Sequence, residues 1–320
     1  MKIKKLTVVG VVGALILSLA AAAWATDWYV PGNFATIQAA IDSSSVVNGD
    51  RIIVGPGLHA GAFVTKAVEI KGEGGATITS GPPHGSGLIQ GFRLLAGSDG
   101  ATITHLRFEV GLAIMNGAAV DDVTVTQTTF VNAVQAISNW RGSRWNITHN
   151  EIIDLRTFCG GGIGVLIGDY TGGTVTDNVV AHNKIYGTLH VASGDCGGYN
   201  GTGIVIFADF RWEADGASSL AWNRVVKNTI GLTSNTPNLV DVVAIELTES
   251  GDSDAGWPTT PPNSSVITNN AIGFNDLRDT VLQIALTPSS LDNPTNDISR
   301  NLGENRGQGL HPSAFGPGGN

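Results

Sequence analysis

The sequence is short of charged residues, and of basic residues most of all. Charged residues make up 14% of the 320 residues, against about 25% in a typical soluble protein, which indicates a thin polar surface over a long β-branched core. The 27 acidic residues outnumber the 18 basic residues and give a formal net charge of −9. This balance argues against nucleic acid and anionic lipid as partners, because both are bound by basic surfaces.

What the sequence does contain is an internal repeat marked by asparagine. An apolar strand, an Asn and another apolar residue recur at Asn150, Asn183, Asn228, Asn270 and Asn301. Leu106 and Thr128 hold the same position in two earlier units, and the resulting spacing of 22 residues is about one coil of a parallel β-helix. One such unit cannot bury its own apolar face, so the units must stack. Stacked Asn side chains would then hydrogen-bond to one another along the axis.

Cysteine is scarce, with two residues in the whole chain. Cys159 and Cys196 each lie in a Gly-rich segment, and the two segments belong to consecutive units of the repeat. Stacked coils lie about 4.8 Å apart, within the Cα separation that a disulfide needs. The sequence therefore predicts a Cys159–Cys196 disulfide. The spacing indicates no further ligand for a metal site, and a catalytic thiol suits an oxidising compartment poorly.

The two ends of the chain differ from the repeat. Residues 1–25 have the pattern of a secretory signal, with Lys2, Lys4 and Lys5 before an apolar stretch and Ala23-Trp24-Ala25 at the end. An uncleaved membrane anchor is the alternative, because the apolar stretch is almost long enough to span a bilayer. We expect one domain over residues 26–307 and a Gly/Pro-rich tail over residues 308–320. Cleavage would give an extracellular or periplasmic protein that is free of the membrane.

The segment that follows the signal resembles a known family. Residues 33–42 read NFATIQAAID and place Phe34, Ile37, Ala40 and Ile41 on one helical face. Residues 48–57 read NGDRIIVGPG, and alternating apolar residues with two glycines follow. These segments resemble the N-terminal cap and first coils of the right-handed parallel β-helix, or pectin-lyase-like, superfamily. The resemblance implies an all-β solenoid with an N-terminal amphipathic capping helix, but it does not select an activity.

The superfamily includes polysaccharide lyases, polygalacturonase-type hydrolases, epimerases and non-catalytic surface proteins. Galacturonan hydrolases of this kind carry Asn-Thr-Asp, paired Asp, Gly-His-Gly and Arg-Ile-Lys motifs, and this sequence does not have them in order. Its paired Asp, Asp121-Asp122, has no Gly-His-Gly partner and is predicted to lie in a solvated turn. The epimerase motif Asp-Pro-His-Asp is absent as well. These two activities are therefore not supported by motifs.

The loops after the second strand of each unit lengthen along the chain, and we expect them to form one wall of a groove. Their aromatic residues are Trp140, Tyr170, Phe210, Trp212 and Trp257. Aromatic faces surrounded by polar groups suit sugar rings, so these residues are the predicted substrate-binding set. The alternative is that they pack the loops onto the helix.

Carboxylates in the same loops are candidate calcium ligands. Asp169, Asp209 and Glu249 are predicted to lie on neighbouring coils, where carboxylates about 5 Å apart would raise one another's pKa or require a cation. Calcium suits several oxygen ligands. The alternative is that these side chains point apart into water.

Three residues are candidates for catalysis. Asp209 and Glu246 could serve as the acid and the base or nucleophile of a hydrolase. The resemblance to lyases implies calcium and a basic residue that removes a proton, and Arg211 is the nearest candidate. Glu246 is predicted to be the only charged side chain on the outward face of its strand. Equivalent positions such as Val205 and Ala285 are apolar or small, which favours a binding surface over a catalytic groove.

The residue before each Asn of the repeat gives a second candidate site. This column is predicted to contain His105, Gln127, His149, His182, Lys227, Asn269 and Arg300. His149 and His182 would lie one coil apart, and paired imidazoles can hold copper or zinc. The alternative is that they are solvated at an exposed corner.

Two functions follow from these observations. The first is a secreted protein that binds and cleaves an extracellular polysaccharide, as a lyase or a glycoside hydrolase, with calcium as the cofactor to test. The second is a non-catalytic binding or scaffold protein at the cell surface. Convergence of Asp209, Arg211 and Glu246 on one point would favour the enzyme.

Overall fold

The computed structural model describes residues 25–158, 161–191, 201–209, 218–236, 242–249, 266–287, 291–292 and 294–307. The predicted signal except its last residue, the predicted tail, both cysteines, and Phe210, Arg211, Trp212 and Trp257 lie outside these residues. The Cys159–Cys196 disulfide therefore stays a prediction. In the described part of the chain, none of the helical structure is long and apolar enough for a membrane span.

Strands make up most of the described chain. In chain order they are β1 (Asp27–Val30), β2 (Arg51–Val54), β3 (Gly57–Ala60), β4 (Ala62–Val64), β5 (Glu69–Gly72), β6 (Ala76–Ser80), β7 (Gln90–Leu94), β8 (Thr102–Thr104), β9 (Arg107–Phe108), β10 (Leu112–Asn116), β11 (Thr124–Thr126), β12 (Thr129–Ala133), β13 (Gln135–Trp140), β14 (Asn146–Thr148), β15 (Glu151–Arg156), β16 (Gly162–Asp169), β17 (Thr174–Thr176), β18 (Val179–Ala181), β19 (Lys184–His190), β20 (Gly201–Ala208), β21 (Ser219–Ala221), β22 (Arg224–Val226), β23 (Thr229–Ser234), β24 (Val242–Glu249), β25 (Val266–Thr268), β26 (Ala271–Gly273), β27 (Leu282–Thr287), β28 (Asp297–Ser299) and β29 (Arg306–Gly307).

These strands form long parallel sheets that the chain visits in turn. Sheet A has the order β1-β2-β5-β8-β11-β14-β18-β22-β26-β28, sheet B the order β23-β19-β15-β12-β9-β6-β3, and sheet C the order β29-β27-β24-β20-β16-β13-β10-β7-β4. A smaller sheet contains β17, β21 and β25. One coil runs from sheet A through B to C, and the next coil returns to A beside the first, as β11, β12 and β13 are followed by β14. This is a right-handed parallel β-helix of the all-β class, as the sequence predicted.

The core lies inside the coil, and strand alternation creates it. In sheet A the central residues Val125, Ile147, Val180, Val225 and Ile272 occupy equivalent positions on successive strands and are all buried. Their neighbours along each strand point to the opposite face. β-Branched side chains suit such positions because they pack well on a pleated surface.

A short α-helix, α1 (Ile37–Asp42), lies near the N-terminal end of the solenoid. Thr36 caps it, with its hydroxyl accepting a hydrogen bond from the Ala39 N–H at 3.0 Å. Ile37, Ala40 and Ile41 are its buried residues, and the helix lies against β1, β2 and β4. The helix is shorter than the ten-residue segment singled out in the sequence, because the cap at Thr36 begins it after Phe34.

Asparagines form two ladders rather than one. The first contains Asn150, Asn183, Asn228, Asn275 and Asn301, and in it each side-chain N–H donates to the next side-chain oxygen at 2.9–3.0 Å. The second contains Asn139, Asn178, Asn223, Asn270 and Asn296, with equivalent bonds of 2.8–3.2 Å. The main-chain N–H groups of Asn150, Asn183 and Asn228 also donate to the next Asn of the first ladder.

The sequence assignment of Asn270 to the first ladder is therefore wrong. Four coils carry two asparagines five residues apart, one on each side of a short strand of sheet A: Asn178 and Asn183, Asn223 and Asn228, Asn270 and Asn275, and Asn296 and Asn301. The repeat predicted from the sequence contained Asn270, the earlier member of its pair, where the ladder contains Asn275. In the first ladder, Asn228 and Asn275 are 47 residues apart in the sequence, and Asn275 and Asn301 are 26 residues apart.

The column beside the first ladder changes accordingly, with Phe274 in place of Asn269. Each of its residues has a left-handed backbone: His105, Gln127, His149, His182, Lys227, Phe274 and Arg300 have φ values of 51–62°. The His149 and His182 rings stack with their centroids 5.0 Å apart and their planes at 9°. Both side chains are exposed at the corner. The pairing of these imidazoles on adjacent coils agrees with the sequence, and metal binding by them stays a prediction.

Candidate functional site

The candidate loops all start from one edge of sheet C. Strands β13, β16, β20 and β24 are consecutive neighbours in this sheet, and they end at Trp140, Asp169, Ala208 and Glu249. Because parallel strands that pair in register end together, the segments that follow them leave the solenoid side by side.

Glu246 lies on the outer face of sheet C. Its strand neighbours Ile245 and Leu247 belong to the main core, and its partners on the adjacent strands are Val205 and Ala285. The same column contains Met115, Ser138, Leu166, Val205, Glu246 and Ala285. The column continues to Arg93 of β7, so among the described strands Glu246 is its one acidic group and Arg93 lies five strands away.

The environment of Glu246 keeps its carboxyl neutral. The side chain is fully buried. The Thr202 hydroxyl donates to Oε2 at 3.2 Å, and among the described residues Oε1 has no hydrogen-bond partner. Burial raises the pKa of Glu246 from 4.5 to about 8, and the hydrogen bond from Thr202 opposes this rise. At neutral pH the carboxyl is therefore mainly protonated and has an O–H to donate.

A second apolar cluster covers this outer face, separate from the main core. It contains Leu88, Leu112, Met115, Val134, Trp140, Ile163, Leu166, Val205 and Phe207, with Tyr170 packed against it. Trp140 meets Tyr170 edge to face at 5.3 Å between centroids and lies 6.1 Å from Phe207. The Arg141 guanidinium lies 5.3 Å from the centre of the Tyr170 ring.

The two described aromatics of the predicted substrate-binding set have different environments. Trp140 is buried against Phe207, which fits the packing alternative given for it in the sequence. Tyr170 is half-buried and keeps part of its surface at the edge of the cluster. Phe207 was not predicted from the sequence to belong to the site. Its position two residues after Val205 on β20 places it on the same face of the strand, and this could have identified it.

Two predicted calcium ligands are engaged by hydrogen-bond donors. The buried Asp169 carboxylate accepts from the Thr171 and Gly173 N–H groups at 3.1 and 2.8 Å and from the Ser218 hydroxyl. Glu249 accepts from the Ile267 N–H at 2.7 Å. Donors of this kind occupy lone pairs that a metal would use.

The geometry does not gather the calcium set into one cluster. Asp169 and Glu249 both pair with Ala208, on opposite sides of it, so two strand spacings of about 4.8 Å separate them. Over the residues that the structure describes, no group of three or more His, Cys, Asp or Glu side chains could hold a metal ion. Calcium binding stays a prediction for a test with added calcium.

Asp209 and Glu246 are separated along the sheet. Val205 is the register partner of Glu246, and Ala208 is the partner of Glu249. Ala208 is three positions beyond Val205, which is about 10 Å along the strand, and Asp209 follows it. Asp209 is buried, and its N–H donates to the Asp169 carbonyl at 2.8 Å. The described part of the site therefore brings Glu246 together with Thr202 rather than with Asp209.

Further polar side chains lie on this face and were missed from the sequence. Gln135 donates to the Ser138 hydroxyl at 2.6 Å. Gln90 is buried two strands away in the same column as Gln135, and neither polar atom of its side-chain amide has a hydrogen-bond partner within the described ranges. Gln135 and Ser138 are three positions apart, and strict strand alternation would place them on opposite faces, so the sequence pattern did not indicate that they share this face.

Comparisons with known proteins give fold-level likeness only. No family model and no curated protein sequence matches the chain. Among solved structures, the catalytic domain of a GH87 α-1,3-glucanase in complex with nigerose matches with a TM-score of 0.34 and 13% identity, covering 86% of this chain and 69% of that one. A DFA-IIIase from Arthrobacter chlorophenolicus A6 in complex with DFA-III matches with a TM-score of 0.30 and 13% identity, covering 82% and 84%. Likeness at this level assigns no role to any residue.

Proposed function

We propose that this chain binds and cleaves an extracellular polysaccharide, and that Glu246 supplies the proton for the leaving group. The observation that carries the proposal is the neutral carboxyl on the outer face of sheet C, buried, with one oxygen unpartnered. Enzymes obtain a general acid that works near neutral pH by raising the pKa of a carboxyl through burial.

In the proposed hydrolysis, the Glu246 O–H donates its proton to the glycosidic oxygen as the bond from that oxygen to the anomeric carbon breaks. Water completes the reaction at the anomeric carbon, and its released proton goes to a basic group. Asp209 is the proposed base. Because its backbone lies more than about 10 Å along the sheet from Glu246, its carboxylate has to come within about 6.5–9.5 Å of the Glu246 carboxyl when the sugar binds. In the lyase form, Arg211 takes the proton next to the sugar carboxylate while Glu246 protonates the same leaving oxygen.

The reaction requires access to Glu246. The side chain has 0% exposure, so the glycosidic oxygen reaches it only when the residues above it move apart or its side chain changes rotamer. Tyr170 and Arg141 at the edge of the cluster would then meet the sugar, since an aromatic face and a guanidinium can both contact a hexose ring.

A non-catalytic binding protein is the second candidate, and the composition of the outer face favours it. The positions next to Glu246 in its column are Val205 and Ala285, and Leu166 follows Val205, whereas a cleaving groove needs a second group that takes part in the reaction. In this case Glu246 would be a buried neutral hydrogen-bonding group that holds a glycan or the covering loops.

Release of new reducing ends from a panel of neutral and acidic polysaccharides, with and without calcium, separates the two functions. A lyase would also form an unsaturated product that absorbs in the ultraviolet. We expect Glu246→Gln to lower the rate at least about 100-fold, in line with the loss of a general acid. The matched control is Glu73→Gln, because Glu73 is an exposed carboxylate elsewhere on the solenoid.

Equal rates for Glu246→Gln and the wild type would refute the catalytic role of this carboxyl. An inactive wild type that still binds one of the polysaccharides would establish the binding function instead.

A further inference from the structure

The outer face of sheet A carries a cleft at the C-terminal end of the solenoid, far along the helix from α1 and on a different sheet from Glu246. Its volume is about 470 Å³, within the range of about 300–1,000 Å³ that is usual for ligand pockets. Strands β22, β26 and β28 line it. It has no part in the polysaccharide-cleaving site proposed above.

Small residues on the middle strand create the cleft. Ala271 and Gly273 of β26 point outward between the larger residues of the two flanking strands. A side chain at position 273 would place its Cβ 2.9 Å from the Ser299 carbonyl oxygen, so the close approach of the next strand disfavours filling the groove there. The small residues of β26 therefore form a shallow apolar floor, and the larger residues of β22 and β28 form the walls of the cleft.

The walls carry an excess of positive charge. Arg224, Lys227 and Arg300 line the cleft together with one acid, Asp297, which gives a local charge of +2 on a chain whose formal net charge is −9. The Asp297 carboxylate accepts a hydrogen bond from the Ser299 hydroxyl at 2.6 Å. Within the described ranges, none of the three basic residues forms an ion pair.

Five other arginines in the described part of the chain are paired with carboxylates, whereas Arg141 lies over the Tyr170 ring. Those with carboxylate partners are Arg51, Arg107, Arg144, Arg278 and Arg306. The contrast shows that the cleft keeps its cations available in a protein with enough acids to pair them. An anion that enters the cleft would gain charge-assisted hydrogen bonds that a water-filled cleft lacks.

An exposed aromatic lies at the same place. Phe274 lines the cleft and is 55% exposed, and the Arg300 guanidinium lies 5.4 Å from the centre of its ring. The corner at this position has positive φ in every coil described above, and a bulky apolar residue is uncommon there. The other coils place polar residues at this corner, so Phe274 departs from the pattern of its own column.

A second exposed aromatic borders the other end of the strands. Trp222, 60% exposed, comes two residues before Arg224. It is in the register position of Asn269, and Phe274 is five positions further along, about 16 Å at the usual rise per residue. A chain of several sugars could contact both rings and the basic residues between them.

We propose that this cleft binds an acidic sugar unit of a polysaccharide. The anionic group of the sugar lies among Arg224, Lys227 and Arg300, the apolar face of the ring packs on Phe274, and Asp297 accepts a hydrogen bond from a hydroxyl. The site anchors an acidic polymer along the side of the solenoid and takes no part in bond cleavage. It does not depend on the function proposed for Glu246.

Calorimetric titration with three oligosaccharides of equal length tests the proposal: trigalacturonate, a sulfated galactan trimer and maltotriose. We expect the acidic trimers to bind and maltotriose to bind at least about ten times more weakly, and raising the salt concentration to weaken only the acidic ligands. The two acidic probes separate a site for carboxylated sugars from a site for sulfated sugars.

Three variants locate the binding. Arg224→Ala combined with Lys227→Ala should weaken the affinity for the acidic trimer at least tenfold. Ala271→Leu fills the floor without changing charge and should weaken it as strongly. Lys184→Ala removes an exposed cation from sheet B and should leave it unchanged.

Unchanged affinity in both cleft variants, or equal loss in Lys184→Ala, would overturn the proposal. Thermal unfolding of each variant shows whether it is folded before titration. Because the charge variant and the filling variant change different properties of the cleft, either one still tests the site if the other does not fold. Glu246→Gln should bind the acidic trimer as the wild type does, so failure of the proposed catalytic function and failure of this site give different results.

Discussion

The asparagine ladders and the outer face of sheet C both bury polar side chains, but they treat them in opposite ways. In the ladders, the side chains of Asn183 and Asn228 each donate a hydrogen bond to one neighbouring Asn and accept one from the other. Each also donates to a main-chain carbonyl. On the outer face, one oxygen of Glu246 and both side-chain amide atoms of Gln90 have no hydrogen-bond partner in the part of the chain that the structure describes.

This difference separates polar groups that build the solenoid from polar groups that cost it stability. A satisfied buried hydrogen bond contributes about 0.5–1.5 kcal/mol, whereas a buried polar group without its partner costs about 1–3 kcal/mol. The same chain can form fully paired columns, so unpaired groups on the outer face call for a functional explanation. A ligand that supplies the missing partner would be such an explanation.

The largest expected effect is on the pH dependence of stability, through Glu246. Its pKa is raised from 4.5 in the unfolded chain to about 8 in the folded protein. The stabilisation from this group is fully present below pH 4.5 and is lost as the pH rises through 8, because the unfolded chain releases the proton that the folded protein retains. The wild type should therefore lose about 3–5 kcal/mol of unfolding free energy across this interval, since each tenfold difference in proton affinity between the two states corresponds to about 1.36 kcal/mol.

Urea unfolding of the wild type and Glu246→Gln at pH 5, 7 and 9 measures this effect. The variant cannot ionise and should lack this part of the slope, while Glu73→Gln should follow the wild type. Parallel curves for the wild type and Glu246→Gln would show that the carboxyl is not held neutral by burial.

Asn228→Ala should have the second largest effect. The substitution removes the acceptor of the Asn183 main-chain and side-chain N–H groups and the donor to the Val180 carbonyl. We expect a loss of about 3 kcal/mol of unfolding free energy, because more than one buried group is left unpaired. Asn301→Ala at the end of the ladder is the comparison variant, and it should cost less because that residue is only half-buried.

Equal losses at Asn228 and Asn301 would contradict the view that the ladder stabilises through complete pairing in its interior. Guanidinium unfolding, with the slope checked for each variant, distinguishes a change in stability from a change in cooperativity.

The fold was predictable from the sequence because stacking repeats one unit many times. An apolar strand followed by Asn, recurring over several units, was enough to predict the solenoid, and a single misassigned member such as Asn270 did not change that result. The two-ladder arrangement was visible in the five-residue separation of Asn223 and Asn228. A single repeat frame does not reveal it, because either asparagine of a pair can occupy the position after an apolar strand.

The candidate site was less predictable because it depends on what faces each side chain. Strand alternation placed Glu246 on the outer face, but its burial, and the raised pKa that follows, depend on residues from other coils. Asp169 looked like a metal ligand in a loop, whereas its carboxylate closes the turn that contains Thr171 and Gly173. Local sequence does not distinguish these roles, since both need a carboxylate after a strand.

Thr202→Val should have a smaller effect on the outer face. Thr202 supplies the hydrogen bond that opposes the rise in the pKa of Glu246, so its removal should raise that pKa further, by less than about one pH unit for a single long neutral bond. Titration of the Glu246 carboxyl by carbon NMR in labelled protein measures the change without relying on activity. The basic limb of any activity profile should move in the same direction. A lower pKa in the variant would mean that the hydroxyl does not favour the ionised form.

The smallest expected effect is at Gln127, at the exposed corner beside the first ladder, where the backbone conformation is strained. Gln127 has a φ of 51° and is exposed, while the next residue, Thr128, donates its N–H to Asn150 at 3.1 Å. That bond fixes the corner, so the left-handed conformation is imposed by the ladder and not chosen by Gln127. Asn tolerates this region better than Gln, and Gln127→Asn should therefore raise the unfolding free energy by about 0.5 kcal/mol. The same replacement at Lys184, which lies in a strand, should lower it slightly, since Asn is disfavoured there. A loss of stability at both Gln127 and Lys184 would mean that the backbone of the corner relaxes independently of the first ladder. The ladder would then fix less of the backbone than its hydrogen bonds indicate.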